Sequence, residues 1–126
     1  MNIEIHNISK TYSIGSKKAL DQVNLKIGSG VFGLIGRNGA GKTTLMRILA
    51  TILEADDGDI SFDGKDLINN KKEFRSLLGY LPQNTKLMPQ LNIVEFLDYV
   101  CVMKGIEKKS ERNDRIRQII EAVGLV

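Results

Sequence analysis

Residues 36–43, Gly36-Arg37-Asn38-Gly39-Ala40-Gly41-Lys42-Thr43, fit the spacing G-x-x-x-x-G-K-[ST] without a gap. That spacing suits one task, the gripping of a polyphosphate. Triphosphate is a dense cluster of negative oxygens. Glycines let the backbone curl until several N–H groups point inward, and they keep side chains out of the way. A helix that starts near Lys42 adds the positive end of its dipole. Lys42 is the mobile cation for the β and γ phosphates, and Thr43 offers a hydroxyl to a Mg²⁺ that bridges phosphate oxygens. The motif does not choose a base. Guanine-specific proteins usually add N-K-x-D, and the nearest match, Asn70-Lys71-Lys72-Glu73, has the wrong last residue.

Such a loop needs a strand before it and a helix after it. Residues 31–35, Val-Phe-Gly-Leu-Ile, form a short apolar run of the kind expected for a strand buried on both faces. After the loop, Leu45, Ile48, Leu49 and Ile52 fall on one helical face, which predicts a helix over about 42–53. Further upstream, Ile3, Ile5 and Ile8 mark an opening strand with partial alternation. Residues 11–16 read as a turn or loop, and Val23, Leu25 and Ile27 alternate as a half-buried strand. Downstream, Ile60 and Phe62 lead into Asp63-Gly64, a hairpin signal. A short helix is expected over 72–78 and a strand over 79–81, ended by Pro82.

The last third is helical. Asn92 with Glu95 three residues on has the form of a capping box before a helix over 93–103, with Lys104-Gly105 as its stop. Residues 108–112 read as a solvated charge cluster. Ile116, Ile119, Ile120 and Val123 make a second stripe, which Gly124 closes.

The bulk numbers fit a soluble globular chain of one compact domain. Of 126 residues, 42% are apolar and 26% charged. A net charge of +3 is too small to argue for a nucleic-acid binder. The single cysteine, Cys101, excludes an internal disulfide and reads as a buried inert thiol. The opening residues lack the pattern of a signal peptide, and no stretch approaches the ~20 apolar residues of a membrane helix.

With these residues in hand, the sequence resembles the nucleotide-binding subunit of ABC transporters along its whole length. The loop GRNGAGKTTL is very close to that family's version, and three further features match in order. Lys10-Thr11-Tyr12 precedes Ala19-Leu20-Asp21-Gln22-Val23 at the family's spacing, so the resemblance makes Tyr12 the aromatic that stacks on adenine. Residues 58–65 resemble the hairpin that follows the phosphate-loop helix. Gly79-Tyr80-Leu81-Pro82-Gln83 resembles the glutamine loop, in which Gln83 contacts Mg²⁺ or the attacking water. Residues 91–105 resemble the helical subdomain of drug, antibiotic or lipid-linked exporters.

The resemblance implies an α/β fold. It comprises a P-loop NTPase core with an antiparallel β subdomain at the front (about 1–90) and the start of a helical subdomain (about 91–126). It implies ATP and Mg²⁺ as cofactors. Tyr12, Gly36, Asn38, Gly39, Ala40, Gly41, Lys42, Thr43 and Thr44 would bind nucleotide, and Thr43 and Gln83 would contact the metal. The implied partners are a transmembrane permease and a second ATP-binding subunit, with no nucleic acid expected. The implied place is the cytoplasmic face of the cell membrane.

Some family parts do not occur in the sequence. It contains no Ser-Gly-Gly signature core, no apolar strand ending in Asp-Glu, and no late switch histidine, since His6 is the only histidine. The chain is therefore expected to be an N-terminal portion that binds nucleotide and turns it over negligibly by itself. A soluble ABC-type ATPase acting on ribosomes or DNA, or a non-catalytic nucleotide-binding fragment, shares the same front-half motifs.

Overall fold

The computed structural model describes residues 1–13, 17–84 and 90–125. The chain forms two compact units, Met1–Tyr80 and Leu81–Val126.

In the first unit, β1 (Ile3–Tyr12) and β2 (Lys17–Ile27) pair antiparallel. The expected loop at 11–16 is shorter than its sequence suggests, because Thr11 and Tyr12 belong to β1; Ile14, Gly15 and Ser16 lie outside the described residues. Next come α1 (Lys42–Leu49), β3 (Asp57–Phe62), β4 (Lys65–Asp66) and α2 (Lys71–Leu77). The sheet order is β2-β1-β3-β4, antiparallel throughout.

The partial alternation of β1 has a local cause. Ile5 and Ile8, three apart, are both buried. Asn7 between them has φ 50°, and the β1–β2 register shifts there. An extra residue in a strand moves the inward set by one place, so both isoleucines face the core. Gln22, at φ 46°, stands between Leu20 and Val23 in the same way on β2.

The core gathers Ile5, Ile8 and Leu20 from the long strands, Leu45 and Ile48 from α1, and Ile60, Phe62, Leu67 and Phe74 from the later elements. Phe62 and Phe74 stack at a tilt with ring centroids 5.0 Å apart. Burying each such side chain stabilises by about 1.5–3 kcal/mol. Asp63 and Gly64 make a two-residue turn with φ 46° and 77°, the two positive values a tight hairpin of this twist requires.

Three expectations fail here. Residues 31–35 belong to no strand, and Val31 and Ile35 are almost fully exposed. A strand buried on both faces needs a neighbour along each edge, and no described segment supplies one. Residues 79–81 are likewise no strand, and Leu81 is exposed. Finally, α1 ends at Leu49 rather than near 53. Thr51 takes φ 60°, and its N–H and that of Ile52 bond back to Ile48 and Arg47. That closing pattern normally uses glycine at the left-handed place. Arg75 holds the threonine there, with Nε 2.7 Å from Thr51 Oγ1 and Nη2 3.1 Å from the Thr51 carbonyl.

The second unit is a helix pair, α3 (Ile93–Met103) and α4 (Lys109–Ala122). The capping box forms as its residues suggest. Asn92 Oδ1 accepts from the Glu95 N–H at 2.9 Å, and Glu95 Oε2 accepts from the Asn92 N–H at 2.8 Å. Gly105 and Gly124, at φ 83° and 70°, end the two helices, each with paired closing hydrogen bonds. Cys101 is buried, whereas of the late stripe only Ile116 is fully buried. The charge cluster is not simply solvated. Arg112 lies within α4 with its side chain 13% exposed, donating to Asp98 at 2.7 Å and to the carbonyls of Ile106 and Glu107. No helix among the described residues is long and apolar enough to cross a membrane.

Candidate nucleotide-phosphate site

The glycine-rich loop lies between the exposed run at 31–35 and the start of α1. Its geometry comes from two turns. The Ala40 N–H donates to the Arg37 carbonyl at 3.0 Å, closing a four-residue turn with Gly39, φ 82°, at its third place. Gly41 then caps α1 at φ 92°, and its carbonyl accepts from the Leu45 N–H at 2.9 Å.

Gly41 is confined from outside as well. A methyl group there would come to 2.3 Å from the Ala19 carbonyl oxygen and 2.8 Å from Leu20 Cδ2. Only glycine fits a left-handed conformation against a strand backbone. The loop is thereby tied to β2, a wall the spacing of the motif did not reveal.

Lys42 folds back over the loop. Its ammonium donates to the carbonyls of Gly36 and Arg37, the latter at 2.8 Å. A positive group thus sits beside the first helical turn, which contains no acidic residue to offset the helix dipole. The first N–H groups of a helix lack intrahelical partners. Together these features form a place suited to an anion.

Thr43 is exposed on α1, and Thr44 beside it is buried. The Thr44 hydroxyl meets the Tyr12 phenol oxygen at 3.1 Å, linking the end of β1 to the helix after the loop. Asn38 and Ala40 are exposed, and a methyl group on Gly36 would come to 3.3 Å from Ala40 Cβ. Tyr12, Gly36, Gly39, Gly41, Lys42 and Thr44 are therefore held in one region by direct bonds or by adjacency. Gln83 is separate from them in the chain's division. It belongs to the second unit, exposed in the bend after Pro82.

Two apolar hollows in the first unit lie elsewhere. One is framed by Ile48, Leu53 and Ile60, the other by Leu25, Leu45 and Phe74. Neither includes the phosphate loop, whose case rests on backbone geometry and charge. Among the described residues no cluster of three or more His, Cys, Asp or Glu could hold a metal. His6 is in β1, its Nε2 3.3 Å from Glu4 on the exposed side.

Among the described residues, one titrating group near this region is displaced. The Asp56 carboxyl is held below its usual value, first by the hydrogen bond from the Lys10 ammonium at 2.6 Å and then by the Thr11 N–H. This carboxylate ties the outer end of β1, next to Tyr12, to the segment before β3.

The profile of the ABC transporter family matches residues 20–126. The chain belongs to that family. It is 32% identical over 98% of its length to the methionine import ATP-binding protein MetN 2 of Pseudomonas syringae pv. tomato, covering 39% of that protein. It is 35% identical to the choline transport ATP-binding protein OpuBA of Bacillus subtilis over 98% of the chain, covering 32% of the relative. Among solved structures, a dimeric ATP-binding cassette in a post-hydrolysis state, bound to ADP and Pi, superposes with a TM-score of 0.77. It is 26% identical, and the match covers 94% of this chain and 56% of that one. The ABC chain thus has the α/β cassette fold expected of it, and it spans well under half the length of these two curated relatives. Neither relative is named as an exporter, so the exporter subgroup expected from residues 91–105 gains no support from them.

Proposed function

We propose that residues 36–44 bind the phosphates of ATP, that the Tyr12 ring stacks on adenine, and that the protein carrying this sequence couples ATP binding and hydrolysis to transport across a membrane. The observation that carries the proposal is the turn from Gly39 through Gly41 into α1, with the Lys42 ammonium folded over it. A polyphosphate entering there would draw Lys42 from its two carbonyls and occupy the unpaired N–H groups of the first turn.

Mg²⁺ fits this chain only as an ion that arrives with the nucleotide. Thr43 offers an exposed neutral oxygen, and a hard cation of this size needs phosphate oxygens and water to complete its shell. Gln83 is proposed as a second contact, because an amide oxygen adds a donor without adding charge. The ion would neutralise charge building on the phosphates during transfer.

The proposed partners are a membrane-spanning permease and a second ATP-binding subunit, at the cytoplasmic face of the membrane. The dimeric cassette with ADP and Pi supports the second subunit, and the transport names of the relatives support the permease. The proposed division is a nucleotide-binding part over about 1–90 and the beginning of a helical part over about 91–126. This stretch, which holds no Ser-Gly-Gly and no Asp-Glu, is proposed to bind without appreciable turnover by itself.

The test is titration calorimetry with ATP on the wild-type chain and on Lys42→Ala. Affinity should fall at least about tenfold in the variant, the scale of one lost charge-assisted contact. Equal affinity would remove Lys42 from the site and the proposal with it.

A further inference from the structure

Asn38 is the one asparagine of this chain that is followed by glycine. That pairing has a chemistry of its own. The backbone nitrogen of the following residue can attack the asparagine side-chain carbonyl, and a Cβ on that residue hinders the approach. Glycine has no Cβ, and its backbone turns most freely. The other asparagines precede isoleucine, leucine, threonine, lysine, asparagine or aspartate.

The fold leaves this pair open. Asn38 and Gly39 are exposed, and a methyl group on Gly39 would meet nothing within 4 Å. The turn is closed by the Ala40 N–H, whereas the Gly39 N–H and the Asn38 side chain bond to no protein group among the described residues. The two Asp-Gly pairs, which can close the same ring, are tied by contrast. The Gly58 N–H donates to Asp57 Oδ1 at 2.9 Å, and a methyl group on Gly58 would strike the His6 carbonyl. Asp63 Oδ1 accepts from the Asn2 N–H at 2.7 Å.

We propose that Asn38 is a self-modification site: it deamidates while the phosphate loop is empty and is protected while a polyphosphate fills it. The protection rests on the reading of residues 36–44 as the phosphate site. Hydroxide removes the Gly39 amide proton, and the nitrogen bonds to Asn38 Cγ. The Cγ–Nδ2 bond breaks and ammonia leaves with a proton from water, which closes a five-membered succinimide. Water then adds to one of the two ring carbonyls and breaks its bond to the Gly39 nitrogen, which regains its proton. Addition at Cγ gives aspartate. Addition at the backbone carbonyl gives isoaspartate, with the chain now running through the former side chain. One water enters and one ammonia leaves, with no oxidant or reductant.

A phosphate oxygen that accepts from the Gly39 N–H holds both that proton and the turn, so the ring cannot close. Either product harms the site. Aspartate sets a carboxylate beside the polyphosphate, and isoaspartate lengthens the backbone inside a tight loop. The loop therefore keeps a record of the time it stands unoccupied.

The test incubates the full chain at mildly alkaline pH, alone and with ATP, and follows the tryptic peptide 38–42 by mass spectrometry and isoaspartyl methyltransferase labelling. Without ATP this peptide should convert faster than those carrying Asn69 or Asn113, which are also exposed. With ATP at ten times its dissociation constant conversion should slow about tenfold, since only empty chains react. Aged wild type should lose ATP affinity at least about fivefold in its converted fraction, the scale of one nearby like charge. Asn38→Gln, whose side chain would have to close a less favourable six-membered ring, should keep through incubation whatever affinity it begins with. Conversion no faster than at Asn69 and Asn113 would overturn the site. Equal conversion with and without ATP, in a sample that calorimetry shows to be saturated, would overturn the protection and leave the phosphate site standing. No ATP binding by calorimetry would sink the phosphate reading and the protection together, while fast conversion of the peptide would still uphold Asn38 as the modified residue.

Discussion

Gly41 and Ala19 approach so closely that any side chain on the first would strike the carbonyl oxygen of the second, at 2.3 Å for a methyl group. The phosphate loop is thus braced against β2 at the point where it becomes helix. Gly39, two residues earlier, has a similar left-handed φ of 82° but nothing within 4 Å of where a methyl would lie. The two glycines separate a backbone constraint from a packing constraint. Gly39→Ala should cost about 1–2 kcal/mol from the left-handed conformation alone. Gly41→Ala should cost more than that, because strand and loop must also part. Urea unfolding of the two variants measures the difference, and equal midpoints would show that the Ala19 contact does not constrain the loop.

Asp56 predicts an acid-side response. Its carboxyl is held below the ordinary 3.8 by the Lys10 hydrogen bond first and the Thr11 N–H second, with desolvation opposing. A group depressed on folding stabilises fully above its unfolded value, and that contribution is lost as pH falls through the folded value. Wild type should therefore exceed Asp56→Asn in stability by a constant margin above about pH 5, with the margin shrinking below about pH 4. Melting the pair of proteins across pH 2–6 checks the sign; a margin that grew on acidification would contradict the assignment.

Asn92 and Glu95 satisfy each other's backbone N–H groups at the start of α3. Asn92→Ala should destabilise that helix by about 1 kcal/mol. Amide hydrogen exchange over residues 93–97 should quicken while the sheet of the first unit keeps its protection. An unchanged rate at the helix start would mean that the box is ornamental.

Arg112 is bound through a fork of donors to Asp98 and to two carbonyls in the turn between α3 and α4. Arg112→Ala should cost about 2 kcal/mol, and Arg112→Lys should recover less than half, since a point ammonium cannot span the same three acceptors. Exchange protection of α4 in the two variants reads this directly. Full recovery by lysine would reduce the contact to simple charge.

Much of this architecture could be read from short-range signals. Asp63-Gly64, the Asn92 and Glu95 pair, and the stops at Gly105 and Gly124 each act within a few residues, and each occurs where its type suggests. The phosphate loop is equally local, eight consecutive residues with a fixed spacing. What could not be read depends on distant partners. The bulges at Asn7 and Gln22 use polar residues at positive φ, which leave no mark in composition. The early stop of α1 uses a threonine at a place glycine normally takes, held by Arg75 from another helix. The first half of β2, residues 17–22, carries mostly polar side chains and becomes strand only by pairing with β1. Tyr12 and Thr44 were each legible as candidates, but nothing in their sequence separation signals that they touch.

The run at 31–35 has a further consequence. Its valine and isoleucine ends are nearly bare, and an apolar segment outside the sheet offers its backbone to whatever strand comes near. In concentrated solution the chain should therefore stick to copies of itself through this stretch, and a lysine in place of Val31 should keep it dispersed. The segment that delivers the chain to its phosphate loop is also one through which it should clump.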